Sequence, residues 1–342
     1  MPQQLIDVAF AAKVAARFAS QGPLDQSYLL DDLDADLSRL VAEAEPLIEA
    51  ETGFVTGSPA VANVLSRSEW AAANVDSMLV LMAPLLEKVD AKVSSSPIGS
   101  VVKLAYRPAL GAQMGTVLGF LSQRVLGQYD LLLGRHDHVW FVGPNMVLME
   151  RRFGFVPRDF RLWVVLHELT HRAQFEGNPW VRQYFIDSVS DLLSSLDMDA
   201  GTLLDRLIQA LKSGEGSQPF GLRMLSEEQR AKFNDMQAFM SVIEGHGNFI
   251  MDSIAERIIP TQPRMRRVLR GGASSSGVMA KLIGKLLGLE MKRAQYEDGQ
   301  RFFDKLLASA GQEAVNKVFT SAEYLPSLDE VKRPELWVKR AL

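Results

Sequence analysis

Residues Arg161–Gly177 read RLWVVLHELTHRAQFEG. Within this stretch His167 and His171 stand four residues apart, so on a helix they share one face, one turn from each other. That spacing lets both imidazoles reach one Zn²⁺ at roughly 2.0–2.1 Å. Glu168, beside the first histidine, can sit over the open position of such a metal and take a proton from its bound water. His167-Glu168-Leu169-Thr170-His171 is thus the HExxH pattern of zinc peptidases. Phe160, Trp163, Val164, His167, His171, Gln174 and Phe175 follow one helical face, which extends a mostly apolar stripe and turns the histidines inward. Buried imidazoles need partners; carboxylates or carbonyls would serve, and a metal serves this pair most directly. Pro157 is a suitable first-turn residue for this helix and Gly177-Asn178-Pro179 a clear stop.

A third ligand must come from elsewhere in the chain. Ser226-Glu227-Glu228-Gln229 has the form of a capping box and opens a helix predicted to run to about Ile258. On it Met236, Met240, Glu244, Gly247 and Met251 share a face. A lone carboxylate buried there would be costly without a cation, so Glu244 is the expected third ligand, completing a two-histidine, one-glutamate set. His246 is the alternative ligand. It lies about 200° further around the helix, so the two cannot easily hold one ion unless Gly245 and Gly247 distort the backbone. Otherwise His246 is a proton donor or oxyanion stabiliser in the cleft, or a packed histidine. Asn248 and Asp252, one and two turns past Glu244, are candidates to orient a metal-bound imidazole. A metzincin would need glycine at position 174 and histidine at 177; this chain has Gln174 and Gly177.

Composition narrows the setting. The 342 residues, 47% hydrophobic and 23% charged, can bury one large core or two. A net charge of −4 gives no global pull toward nucleic acid, and the one arginine cluster, PRMRRVLR at 263–270, lacks interleaved stacking aromatics. With no cysteine there is no disulfide and no thiolate, so any zinc must be held by histidine and carboxylate. The N-terminus lacks the basic start of a secretory signal, and no uncharged apolar run approaches the ~20 residues of a membrane span. The expectation is a soluble, cytoplasmic protein without nucleic-acid or membrane partners; its oligomeric state is not legible.

Helical periodicity dominates the remainder. We expect an N-terminal amphipathic helix ending near Gly22-Pro23, a helix over Asp31–Glu51 and a long one over Ala60–Lys92. Gly111, Gly115 and Gly119, spaced by four, predict close packing of another helix. His138–Val142, HVWFV, is the best strand candidate. Trp140–Gly143 could then offer an edge to extended substrate, or the strand could form a hairpin with Leu131–Leu133. Val181–Leu211 reads as two further helices and Val278–Ala310 as helical. The expected fold is mainly α, with a small sheet or hairpin beside the HExxH helix. Its regions are 1–125 (helical), 126–260 (metal-binding core) and 261–342 (helices packing on that core), or one integrated domain.

At this level of detail the chain resembles the zincin-like presumed hydrolases of actinobacteria and relatives, some of which carry a label linking them to deazaflavin coenzyme biosynthesis. The resemblance rests on LGQYDLLL (126–133), FVGPNM (141–146), LWVVLHELTHRAQFEGNPW (162–180) and IEGHGNFIMD (243–252). It continues through GLEMKRAQYEDGQRFF (288–303) and the C-terminal LPSLDEVKRPELWVKR. It implies a mostly helical zincin-like fold and zinc hydrolase activity without an assigned substrate. Glu244-Gly245 is also similar to the third-ligand helix of many gluzincins. The QYE segment implies Tyr296 as a transition-state hydrogen-bond donor, against a packed tyrosine. Two function classes follow. One is a zinc hydrolase, foremost a peptidase acting on peptides or small amides; the other is a binding or scaffolding protein that keeps the site without turnover.

Overall fold

A computed structural model describes residues 5–19, 22, 24–25, 27–94, 99–134, 137–195, 202, 205, 208, 226–272 and 293–342. The HExxH helix, Pro157–Glu176, lies at the centre, and all but a few of its side chains are buried. In chain order the helices are α1 (Val8–Phe18), α2 (Leu33–Thr52), α3 (Arg67–Ser94), α4 (Gly99–Ser122), α5 (Gly143–Phe153) and α6 (Pro157–Glu176). They continue with α7 (Pro179–Ser195), α8 (Glu227–Ile258), α9 (Gln262–Gly272), α10 (Arg293–Lys317), α11 (Leu328–Lys332) and α12 (Pro334–Ala341). The strands are β1 (Val61–Leu65), β2 (Gly127–Tyr129) and β3 (His138–Val142), in the order β1-β3-β2. The fold is thus mainly helical with a small mixed sheet, as expected.

Local chemistry explains the boundaries. Pro157 occupies the first turn of α6, where its missing N–H costs nothing. Ser226 and Gln229 form the reciprocal capping box that starts α8. Gly154 ends α5 in the left-handed conformation that glycine adopts without strain. The glycine row on α4 receives α1: a Cβ at Gly111 would sit 2.8 Å from the Asp7 carbonyl oxygen, one at Gly119 as close to the Ala15 carbonyl, and one at Gly115 closer still to the Ala11 carbonyl. One cluster of buried apolar side chains runs from Leu5 to Ala341.

Three expectations need correction. The helix expected from Ala60 starts at Arg67, and Val61–Leu65 is a strand. Five residues of VANVL are too short for periodicity to settle; parallel pairing with β3, Val61 opposite His138 through Leu65 opposite Val142, decides their state. The hairpin partner of β3 is Gly127–Tyr129, not Leu131–Leu133. β3 is therefore paired on both sides, so Trp140–Gly143 has no free edge for a substrate; β2 holds that position. Of the two helices expected over Val181–Leu211, α7 ends at Ser195, and most of the second lies outside the described residues. The part of Val278–Ala310 before Arg293 also lies outside them.

Candidate metal centre

α6 is tied to α2 and α5 by ion pairs. Arg161 bonds Glu150 at 2.8 Å and Asp36 at 2.7 Å, and Arg172 bonds Glu45 at 2.6 Å. About 100° around the helix from these arginines, His167 and His171 face α8. There His167 Nε2 and His171 Nε2 are 3.1 Å apart. Glu244 on α8 places Oε2 3.9 Å from His167 Nε2 and Oε1 3.8 Å from His171 Nε2. Gly247, one turn along α8, leaves room for the His171 ring; a Cβ there would lie 3.1 Å from its Cε1.

The donor set fits a zinc ion. Tetrahedral coordination at about 2.0–2.2 Å separates ligand atoms by about 3.3–3.6 Å, and the three observed separations bracket that value. Glu244 is 2% exposed and shares its pocket with Glu168, which is also buried. Burial first, and then the charge of Glu244, push the Glu168 carboxyl up to about 8. Two carboxylates and two imidazoles converging away from water make a site whose charge a divalent cation would offset.

Glu168 is one residue past His167, hence about 100° around the helix, and it points to the sheet edge. The backbone N–H of Tyr129 donates to its carboxylate. Gly127 lies against it so closely that a Cβ would fall 2.6 Å from Glu168 Cγ. The strand carrying these two residues is positioned by Asn145, whose amide donates to the Ser122 and Val125 carbonyls at 2.7 and 2.6 Å. Beside the trio opens a cleft lined by Glu168, His171 and Glu244 together with the apolar Leu131, Phe175, Phe185, Met240 and Ile243. The Tyr129 side chain also lines it, its hydroxyl donating to Glu176. Burial and that glutamate raise the phenol's pKa, so it stays protonated.

The structure brings His167, His171 and Glu244 together and sets Glu168 beside them. It does not bring His246 into the cleft. His246 is 1% exposed, ringed by Phe54, Phe249, Phe303 and Phe319, and its Nδ1 accepts from Gln174 Nε2 at 3.0 Å. Burial, and then the nearby His171, push its pKa down to about 3, which keeps it neutral. That placement suits neither a metal ligand nor a proton donor to substrate. Tyr296 falls on α10, and its side chain lies outside the described residues. Asp252, a candidate to orient an imidazole, accepts from Gln300 at 2.8 Å and Gln262 at 3.3 Å. The residue that meets His171 from behind is Gln174, whose Oε1 is 2.9 Å from His171 Nδ1. Its signal was present in the sequence, as the polar i+3 neighbour of His171 on an otherwise apolar face; Gly127 and Tyr129 had none, because their role depends on sheet pairing.

A family model described as zincin-like metallopeptidase matches residues 6–338. The crystal structure of a presumed hydrolase with a novel fold from Chloroflexus aurantiacus is 33% identical, covers 98% of both chains and superposes with a TM-score of 0.73. No relative matches among the curated proteins. With the match spanning nearly the whole chain, this protein belongs to the zincin-like metallopeptidase family.

Proposed function

We propose that this protein is a zinc-dependent hydrolase of peptide or small amide bonds, with His167, His171 and Glu244 as ligands and Glu168 as general base. The observation that carries the reading is the placement of Glu168: it adjoins the three-ligand cluster, lines the cleft and is not one of the three. A purely structural metal site has no use for such a base. Bound zinc would supply a Lewis acid for the substrate carbonyl and an activated water. Glu168 accepts the proton released as water attacks and returns it to the leaving amine. The Tyr129 N–H holds that carboxylate against the sheet edge throughout. Among the described residues no strand pairs with β2 on its side away from β3; that edge, beside Glu168, would align an extended chain. The apolar wall from Leu131 to Ile243 would receive a bulky apolar side chain of the substrate. Tyr296 is retained as a candidate hydrogen-bond donor on the family resemblance alone.

The test is zinc content together with turnover of a peptide library, on the parent and on Glu168→Gln. The glutamine variant should keep its zinc and lose about 10²–10⁴-fold in turnover, since an amide cannot accept the proton. Full turnover by that variant would remove Glu168 from the mechanism. A parent that binds zinc and cleaves nothing would instead favour the scaffolding class.

A further inference from the structure

We infer that Gln174 is a positioning residue that locks His171 into a single tautomer, using a backbone carbonyl of α8 as its reference. The inference rests on reading His167, His171 and Glu244 as ligands. It starts from the one group without a choice. The Ile243 carbonyl oxygen can only accept, and it lies 2.9 Å from Gln174 Nε2. That end of the amide must therefore be the NH₂. The other end is then the oxygen, which also can only accept, and it faces His171 Nδ1 at 2.9 Å. Hence His171 carries its proton on Nδ1. A neutral imidazole has one N–H, so Nε2 is left with a bare lone pair. That atom is the one 3.1 Å from His167 Nε2 and 3.8 Å from Glu244 Oε1.

The second amide hydrogen goes to His246 Nδ1 at 3.0 Å, which satisfies the nitrogen end fully. A flipped amide would set oxygen against the Ile243 carbonyl and lose that bond outright, even if His171 changed tautomer to accept at Nδ1. His246 cannot turn away easily, because its ring packs 4.6 Å from Phe319 and 5.1 Å from Phe303, centroid to centroid. The chain of dependence thus runs from Ile243, next to the ligand Glu244, through Gln174 to the ligand His171. One side chain couples the seating of α8 to the readiness of α6. The choice of an amide has its own reason. A carboxylate at position 174 would orient His171 equally well, but it would add a third buried acid beside Glu168 and Glu244 and would meet the Ile243 carbonyl without a proton to offer.

Gln174→Met keeps length and bulk while removing both amide functions; His246→Phe keeps the ring and removes only the outer acceptor. Two measurements decide. Imidazole ¹⁵N NMR of the metal-free protein, at alkaline pH where histidine is neutral, reads the tautomer of His171. Competition with a chromophoric chelator reads zinc affinity, with thermal unfolding of the metal-free proteins alongside. The parent should show His171 as Nδ1–H alone. Gln174→Met should show a mixture that includes Nε2–H and should bind zinc about 10–100-fold more weakly. His246→Phe should keep the Nδ1–H form and lose less affinity. An Nε2–H tautomer in the parent overturns the inference, whether or not the methionine variant folds. So does a methionine variant that is less stable but unchanged in tautomer, since that is the signature of packing alone. A parent with a locked tautomer and no zinc binding upholds the lock and removes the metal reading instead.

Discussion

Two helix crossings in this molecule solve opposite problems with the same residue type. Where α1 meets α4, glycines at 111, 115 and 119 strip the surface to bare backbone so that two helices touch. Where α6 meets α8 and β2, Gly247 and Gly127 clear space for His171 and Glu168. The first contact is made of backbone atoms and the β-carbons of Val14 and Phe18, and closeness is its whole function. The second is made of buried imidazoles and carboxylates, groups that burial disfavours unless something satisfies them. The difference separates what a Cβ would displace: a helix in one case, a carboxylate in the other. The same small substitution should therefore damage stability at one crossing and chemistry at the other.

The largest effect should come from the polar crossing. His167→Ala leaves two protein ligands, so zinc content by atomic emission and peptide turnover should both fall to background. A variant that keeps full zinc would break the assignment of the trio. Next is Gly115→Leu. The side chain has no room against α1, and overpacking of this kind costs about 1–3 kcal/mol. Denaturant unfolding of the metal-free protein should show that loss, while the zinc dissociation constant stays at the parent value. Loss of zinc affinity in this variant would mean that the two crossings are coupled rather than separate.

The smallest and sharpest effect belongs to Gly127→Ala. Its methyl meets Glu168 Cγ, the middle of a flexible side chain, so the protein can yield by moving the carboxylate. Stability and zinc content should be nearly unchanged, and turnover should fall by about 10- to 100-fold from misplacement of the base. Steady-state kinetics beside a thermal melt checks it. A large drop in melting temperature with normal turnover would show that Gly127 belongs with the packing glycines after all.

Much of the site was legible because helix periodicity is local. His167, Glu168 and His171 follow from spacing alone, and Glu244 follows from one acid on an apolar face whose start a capping box announces. α6 and α8 keep their expected boundaries for the same reason: proline, serine and glycine act on their immediate neighbours. The glycine row on α4 foretold a close helix without saying which. Pairing was not legible. VANVL became a strand only because β3 lay beside it, and β3 lost its free edge only because both flanks were occupied. The role of His246 was likewise decided in three dimensions. Its place on α8 was readable, but three phenyl rings from distant segments, Phe54, Phe303 and Phe319, and the amide of Gln174 turned it from the cleft into the core. Sequence by itself determined which groups each helix carries and on which face, because backbone geometry repeats every few residues. Tertiary structure alone decided which of those groups meet, because contact between distant segments depends on the packing of the whole core.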